Sequence, residues 1–546
     1  MLFVIADRCS KDTSCLSACP VAAIHPTPDE PGFGSAEQLY IDPSACVGCG
    51  ACAVACPLET IYADHELGQS AFFELNAERF RGSTHEDPVD DEELTADPTE
   101  LYAGLRVAIV GSGPSALYTA SMLIEGGAEV SIFERLPTPF GLIRSGVAPD
   151  HASTKNVVRL FQPVIDSPAV NWYLNVEVGR DIDAASLLDF HHAVVWATGA
   201  AGSRSLGIPG EQLAGCHPAR EFTSWYNGHP DFADRAFDLS GERAVVIGNG
   251  NVALDVARIL AQPAESLENT PMPGQVVEAF RSSRVREVDV VGRRGPDAAA
   301  FTTSELLALD ATEGLSLLAH RADLLRSGAR DSTSVRARLI DEASDAAAAP
   351  GERAVRLRFL LTPVSIDGED HVESITFERA HVAVVDGETI VQRTGETETI
   401  ATGLVFIATG AAGQSIDGLP FDEASGRLPN TEGAVIDPRS ARPLAGHYCV
   451  GWIKRGAKGV LGTNRADAAE TLGSIVADFR SGQLGAPSRS RSELDETVGD
   501  PRLSIDGWLR IDEAERRAGA ETGRARETLS TPEALLAAAE TRDASA

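Results

Sequence analysis

Positive charge is scarce in this chain. It carries 47 lysines and arginines against 80 aspartates and glutamates, a formal net charge of −33 over 546 residues. A surface of that sign repels phosphate backbones and anionic lipid, so non-specific binding to nucleic acid or to membrane surfaces is excluded as a role. Long apolar stretches are absent too: no run approaches the roughly 18 residues that a membrane-spanning helix needs. The opening MLFVIADRC holds a five-residue apolar run, no basic segment and an early Asp7. It does not read as a secretory signal, and a cytoplasmic, reducing compartment is expected. Cysteines number nine, an odd total that disfavours a disulfide framework in such a compartment. The rest is ordinary for a globular protein, 43% hydrophobic and 23% charged. At this length one core cannot suffice, and roughly three or four domains are expected.

Seven of the nine cysteines fall in the first 56 residues: Cys9, Cys15, Cys19, Cys46, Cys49, Cys52 and Cys56. The second group reads Cys-x2-Cys-x2-Cys-x3-Cys-Pro, the bacterial ferredoxin run, in which the fourth cysteine ligates the other cluster. Gly48 and Gly50 let such a loop wrap an inorganic cube. Structural zinc needs two separated pairs at tetrahedral spacing and fits poorly. The first group, CSKDTSCLSACP, has five residues between Cys9 and Cys15 where the standard run has a middle cysteine. Cross-ligation then assigns Cys19, Cys46, Cys49 and Cys52 to one 4Fe–4S cluster. Cys9, Cys15 and Cys56 remain for the other, one thiolate short. The pattern resembles the seven-iron ferredoxins of actinobacteria and similar bacteria, which implies one 3Fe–4S and one 4Fe–4S cluster. A second 4Fe–4S cluster with a non-cysteine fourth ligand stays open; Asp12 is then the candidate, or else simply a loop acid.

Beyond His65 the periodicity is lost. Ser83 to Glu100 contains eight acids, two prolines and no lysine or arginine, the composition of a solvated tether. Such a tether holds the ferredoxin at high effective concentration near its neighbour without fixing one geometry. Phe72, Phe73, Leu75 and Phe80 could form a short helix docking on either neighbouring domain.

Leu105 to His151 carries the clearest coenzyme signal. Val107 to Val110 reads as a buried strand, and Gly111, Gly113 and Ala116 follow at G-x-G-x-x-A spacing. A helix runs from Ser115, and a second strand, Glu129 to Phe133, delivers Glu134. That acid lies 23 positions after Gly111, near the roughly 20 of a dinucleotide site. Gly111 permits a tight turn, Gly113 lets a pyrophosphate approach, and the helix N-terminus offers free N–H groups. Glu134 can accept hydrogen bonds from ribose hydroxyls. The following FGLIRSGVAPDH has the proline and glycine density of a rigid loop under a planar ring. His151 at its end serves either beside that ring or as a structural histidine. Ala197-Thr198-Gly199 ends a further strand.

The pattern repeats. Ala244 to Asp255 gives a strand, Gly248, Gly250 and Ala253, and a helix over 251–261. The next strand, Val288 to Val291, ends at Arg293 and Arg294 where the first fold has an acid. Guanidinium groups bind a 2′-phosphate that an acid would repel, so this fold is expected to take NADP(H) and the first FAD. Arg204 is a further phosphate candidate or a surface residue. AFTTSELLALD begins a helix capped by Thr302 or Thr303; Glu305 either faces the nicotinamide end or closes a capping box. Leu315 to Glu398 read as short β-rich segments with acidic turns. GLVFIATGAAG (403–413) repeats the strand–ATG pattern, so one of two similar domains is inserted in the other. His447 to Phe479 reads as strand, Gly-rich loop and helix, the helix starting near Thr463 or Asn464. Its positive end could stabilise a reduced flavin, lined by Trp452 and the backbone of Gly459, Val460 and Leu461. Neither fold contains Cys-x-x-Cys, which disfavours a disulfide relay; Cys216 and Cys449 read as structural thiols.

From Leu105 to about Glu540 the chain resembles the adrenodoxin-reductase-like ferredoxin–NADP reductases. The resemblance rests on GSGPSALYTA, FGLIRSGVAPDH, IGNGNVALDVAR, VGRRGP, AFTTSEL and VGWIKRGAKGVLGTN. With its N-terminal cysteines the whole resembles the actinobacterial ferredoxin/ferredoxin–NADP reductase fusions. The resemblance implies FAD contacts from Ser115, Glu134, Leu142, Trp452 and Gly459 to Leu461. It implies NADP(H) contacts from Gly248, Asn249, Gly250, Asn251, Arg293, Arg294 and Glu305, and it matches His151 to a family histidine near the flavin. The expected fold is α/β: two Rossmann-like dinucleotide-binding domains, FAD and NADP, one inserted in the other, behind a small α+β ferredoxin. The expected divisions are 1–66 ferredoxin, 67–104 linker, 105–205 plus 405–546 FAD domain and 206–404 NADP domain. The expected activity passes hydride from NADPH to FAD, then single electrons to the clusters and to a ferredoxin or other one-electron acceptor, with His151 and Glu305 positioning the reactants. Two rivals are an electron-supplying subunit like the small subunit of glutamate synthase, and a non-enzymatic redox-sensing module.

Overall fold

The computed structural model describes residues 3–6, 9–63, 66, 71–81, 101–328, 334–348, 351–385, 388–459, 462–500 and 502–541. Its first large sheet has seven strands. Val170–Leu174, Glu129–Glu134, Arg106–Val110, Ala193–Trp196 and Arg442–Cys449 run parallel in that spatial order, and Ala434–Asp437 and Asn430–Thr431 extend the edge antiparallel. The second has six parallel strands, in the order Cys216–Pro218, Val405–Ile407, Arg243–Ile247, Glu287–Val291, Arg353–Arg358 and Leu315–Ala319. Sheets of this kind are covered on both faces, which is why RVAIV and RAVVI read as continuous apolar runs rather than alternating ones. A short antiparallel pair, Gly202–Ser203 with Ala411–Ala412, joins the two crossings between the sheets.

Two expectations need correction. Val405–Ile407 hydrogen-bonds between Cys216–Pro218 and Arg243–Ile247, so this strand completes the second sheet rather than returning to the first at 405. The stretch read as β-rich from Leu315 also contains two helices, Arg321–Arg326 and Val335–Asp345. In the longer one Ser334 accepts from the Ala337 N–H, and Val335, Leu339, Ile340 and Ala343 recur at helical spacing on the buried face. Its intervening arginines and acids hid that stripe. A separate three-stranded antiparallel sheet follows, Leu361–Asp367, Ser374–Val385 and Glu388–Ala401.

The N-terminal unit is a two-fold repeat of strands and short helices. Phe3–Ile5 pairs with Ile61–Ala63, Ile24–His25 with Tyr40–Ile41, and helices Ser14–Ala18 and Ala51–Ala55 follow the two cysteine loops. The helix anticipated from the phenylalanines spans Ala71–Arg79 and docks on the second fold. Leu75 is buried there with Phe72 and Phe80 against it, and Glu74 receives both terminal nitrogens of Arg338. On its other face Asn76, buried, accepts from the Ile41 N–H at 2.8 Å and donates to the Ile41 carbonyl at 2.5 Å. The N-terminal unit is therefore pinned to the second fold by a helix that completes its sheet edge. The acidic tether lies outside the described residues. Asn76→Ala strands both Ile41 backbone groups, and an unpaired buried group costs about 1–3 kcal/mol. The expected outcome is faster amide exchange over residues 39–42 and earlier proteolytic release of the N-terminal unit, with the two large sheets unaffected.

Candidate functional site

The seven N-terminal cysteines converge on two small cavities. Cys19, Cys46, Cys49 and Cys52 line one; Cys9, Cys15 and Cys56 line the other, with Asp12. The sets are those of cross-ligation, and no two of these cysteines form a disulfide. Left-handed backbone at Lys11, Thr13, Gly48 and Gly50 curls each loop inward. The Lys11 N–H donates to Cys9 Sγ at 3.4 Å and the Ala23 N–H to Cys19 Sγ at 3.3 Å. Soft sulfur donors, amide donors to sulfur and walls of Ile5, Ile24, Ile41 and Ile61 suit iron–sulfur clusters. Burial pushes the Cys9 thiol up to about 12 and Cys52 to about 11. Loading either site with iron must therefore release protons.

In the first coenzyme fold Gly111 sits at φ 103°, and a Cβ there would lie 2.5 Å from the Ala197 carbonyl oxygen. The glycine thus admits the neighbouring ATG strand as well as turning the chain. Around Gly113 a Cβ would meet nothing within 4 Å, the open approach a pyrophosphate requires. Glu134 accepts from the Ser112 N–H (3.1 Å), the Ser112 hydroxyl (2.7 Å) and the Leu136 N–H (3.0 Å). Burial raises its pKa, and these hydrogen bonds oppose the rise. The FGLIRSG loop lies on the fingerprint: the Phe140 N–H donates to the Ser112 carbonyl, and a Cβ on Gly141 would come 3.0 Å from the Gly113 Cα. Leu142 opens a four-residue helix in that loop. From the far end of the chain, Asn464 accepts from the Ser115 hydroxyl at 2.7 Å, and Gly451 packs on Ser115. Trp452, half-buried, begins helix Trp452–Arg455, and Gly459 is left-handed at φ 86°. Val460 and Leu461 lie outside the described residues.

In the second fold a Cβ on Gly248 would strike the Ala408 carbonyl, while the space at Gly250 is open. The Asn249 carbonyl accepts from Ala300 and Phe301, and Asn251 Oδ1 accepts from the Thr302 N–H at 2.8 Å. Thr302 caps helix Thr303–Asp310, which sets Glu305. Asn249 Nδ2 is buried without a hydrogen-bond partner among the described residues and packs over Gly292, where a Cβ would strike it. Arg293 and Arg294 stand exposed just beyond strand Glu287–Val291. Arg204 is exposed at the crossing between the sheets, reaching the Ser425 carbonyl at 3.4 Å, with its chain against Gly410.

The two folds meet at a buried charge cluster that the sequence pattern only half showed. His151 Nε2 lies 3.8 Å from carboxylate oxygens of both Asp150 and Asp255. Donor atoms of His151, Asp255 and Glu305 fall within 4.8 Å of one another. Arg258, 1% exposed, holds them: it donates to Asp150 at 2.8 and 3.0 Å and to Asp255 at 2.8 Å. Gln262 adds a hydrogen bond to Asp150 at 2.9 Å. Burial alone would raise the Asp150 pKa, but the Arg258 guanidinium holds it well below the usual carboxylate range. The structure thus brings His151 and Glu305 together from different domains. Asp255 and Arg258, four and seven positions after Asn251, are the members the sequence reading missed; a basic and an acidic residue three apart on an otherwise apolar helix were the available signal. Arg258→Met leaves two carboxylates buried without a counter-charge and is expected to destabilise the folded chain by about 3–5 kcal/mol. A urea series followed by tryptophan fluorescence checks this.

The geometry defines a class: an oxidoreductase of two dinucleotide folds facing one junction, joined to a dicluster iron–sulfur domain. Comparison with known proteins agrees. Residues 7–60 match the 4Fe-4S dicluster domain family and residues 109–175 the NAD(P)-binding Rossmann-like domain family. The chain is 41% identical to a probable ferredoxin/ferredoxin–NADP reductase of Mycobacterium tuberculosis, across 99% of this chain and 95% of that one. It is 38% identical to the mitochondrial NADPH:adrenodoxin oxidoreductase of Arabidopsis thaliana, across 80% of this chain and 95% of that one. The solved structure of Mycobacterium tuberculosis FprA in complex with NADPH superposes with a TM-score of 0.75 at 37% identity, covering 80% of this chain and all of that one. The chain belongs to the ferredoxin/ferredoxin–NADP reductase family. Among the described residues no helix is long and apolar enough to cross a membrane.

Proposed function

We propose that the chain is a ferredoxin–NADP reductase that oxidises NADPH and delivers electrons one at a time through its own iron–sulfur domain to a ferredoxin or other one-electron acceptor. The observation that carries this reading is the junction itself: two open glycine fingerprints whose domains interlock through Arg258, with His151 from one side and Glu305 from the other. Ser112, Gly113 and Ser115 with Glu134 would hold FAD, and Leu142, Trp452 and the backbone at Gly459, Val460 and Leu461 would bed its ring. FAD, when bound, supplies the exchange between hydride and single-electron chemistry. Gly248, Asn249, Gly250 and Asn251 would seat the NADP(H) pyrophosphate. Arg293 and Arg294, with Arg204 as a further candidate, would take the 2′-phosphate. Glu305 and His151 orient the nicotinamide end and keep a proton within the junction; hydride transfer itself calls for orientation rather than a general acid. The domain division follows the sheets, with 105–205 and the chain after the second ATG motif forming the FAD domain. For the cysteines we assign a 4Fe–4S cluster to Cys19, Cys46, Cys49 and Cys52 and a 3Fe–4S cluster to the three-thiolate set, Asp12 being the fourth ligand if a fourth iron is present. A cytoplasmic location suits such thiols.

Anaerobic NADPH should reduce the flavin and then the clusters; flavin reduction with clusters that stay oxidised defeats the proposal. Electron paramagnetic resonance of the oxidised protein, with iron and flavin counted per chain, should show seven irons and a 3Fe–4S signal. Replacing Arg293 and Arg294 by alanine removes charged hydrogen bonds from the 2′-phosphate only. The KM for NADPH should rise about 10- to 100-fold while that for NADH stays nearly constant.

A further inference from the structure

We propose that the two cysteine cavities act in a fixed order: the three-thiolate set (Cys9, Cys15, Cys56) is the electron inlet, and the four-thiolate set (Cys19, Cys46, Cys49, Cys52) is the outlet toward the acceptor. This rests on the functional reading above and adds what that reading leaves open, namely which site meets the reductase.

The ferredoxin is not symmetric in its surroundings. The first cysteine loop is fastened to the FAD-type fold. The Gly462 N–H donates to the Ser10 carbonyl, and Arg465 Nη1 donates to the Asp12 carbonyl at 2.9 Å. Gly462 immediately precedes helix Thr463–Arg480, which supplies Asn464 to Ser115, and it closes the Gly-rich loop assigned to the flavin. Cys56 packs against the hydrophobic core of that fold, and Leu58, fully buried, is part of it. Arg159 pairs with Glu59 at 3.0 Å. The loop is equally held from the ferredoxin side, since Lys11 Nζ donates to the Phe33 and Ala36 carbonyls at 2.5 and 2.9 Å.

The second loop faces the other way. Cys49 is exposed, and Val47 and Val54 beside it are 62% and 90% exposed. Residues 43–55 contain no charged side chain, and no hydrogen bond or ion pair joins them to a described residue of the reductase. An electron leaving the flavin site thus reaches the Cys9/Cys15/Cys56 cavity across a hydrogen-bonded seam, and the most exposed cysteine on its way to a partner is Cys49. The balance is simple: NADPH loses a hydride, two electrons pass singly through inlet and outlet, and two oxidised one-electron acceptors are reduced as NADP⁺ and one proton are released.

Four variants of the full chain test the order, read by rapid-freeze paramagnetic resonance of the clusters and by cytochrome c as a basic one-electron probe. In Arg465→Ala the hydrogen bonds to the Asp12 carbonyl and the Thr13 hydroxyl are lost, which loosens the inlet loop on its seat. Flavin reduction by NADPH should keep its rate while cluster reduction slows by about tenfold or more. Val54→Lys should leave NADPH-driven cluster reduction unchanged and lower kcat/KM for cytochrome c by about threefold or more through like-charge repulsion. Leu325→Lys, on the NADP-type fold and 74% exposed, should leave both unchanged. Cys49→Ser should lose the outlet cluster and cytochrome c reduction while NADPH still reduces the three-thiolate site. Unslowed cluster reduction in Arg465→Ala, equal effects of the two lysines, or loss of inlet reduction in Cys49→Ser would each overturn the order. Clusters that never accept electrons from NADPH in the unaltered protein would instead defeat the functional reading, and the order with it.

Discussion

A guanidinium that is almost wholly removed from water is the constraint on which the reductase half depends. A buried arginine is tolerable only if its charge is met and its donors are filled. Arg258 has its charge met, through Nε and Nη2, by Asp150, contributed by the loop of one fold, and by Asp255, one turn away on its own helix. Neither domain can satisfy it alone. The pair therefore works as a register between the two coenzyme folds, and His151 and Glu305 inherit their proximity from it. Two side chains carried by different domains keep a fixed separation only if the domains themselves are held in register. Here that placement comes from electrostatics at a domain seam rather than from one rigid element.

The iron–sulfur half is held by different means. Helix Ala71–Arg79 fastens it to the NADP-type fold through a buried amide and a bidentate arginine, and Arg336 adds an ion pair to Glu37. The Ser10–Thr13 loop and Leu58 fasten it to the FAD-type fold. Two anchors on two domains leave it less freedom than a polar tether would suggest. The acidic stretch between them sets how the chain is connected; the folded contacts set where the ferredoxin sits.

How much of this could be read beforehand follows from how local each signal is. The cysteine spacing, both glycine fingerprints, Glu134 and the Thr302 cap are short-range patterns whose physics is complete within a few residues, and the structure places each where the pattern implied. The position of Arg293 and Arg294, exposed beyond strand Glu287–Val291, was legible because it follows directly from the end of that strand. Arg258 was not, since its partner Asp150 lies 108 positions away. Helix Val335–Asp345 was missed because its apolar stripe is diluted by charged residues on the exposed face. Strand Val405–Ile407 resembled the strand Ala193–Trp196 so closely in sequence that only pairing could say which sheet each joins. The docking of the ferredoxin rests on backbone groups, at Ile41, Ser10 and Gly462, which no side-chain pattern announces.

The asymmetric seating of the two cysteine cavities also bears on how the protein is built. A cavity can receive a rigid inorganic cluster only while one of its walls is open. The Cys46–Cys52 loop remains at the surface after docking, whereas the chain at Cys56 and Leu58 becomes part of the core of the neighbouring fold. Formation of the first site is therefore coupled to the neighbouring fold, whose core shares the wall at Cys56 and Leu58, while the loop around the second is shaped by the N-terminal unit alone.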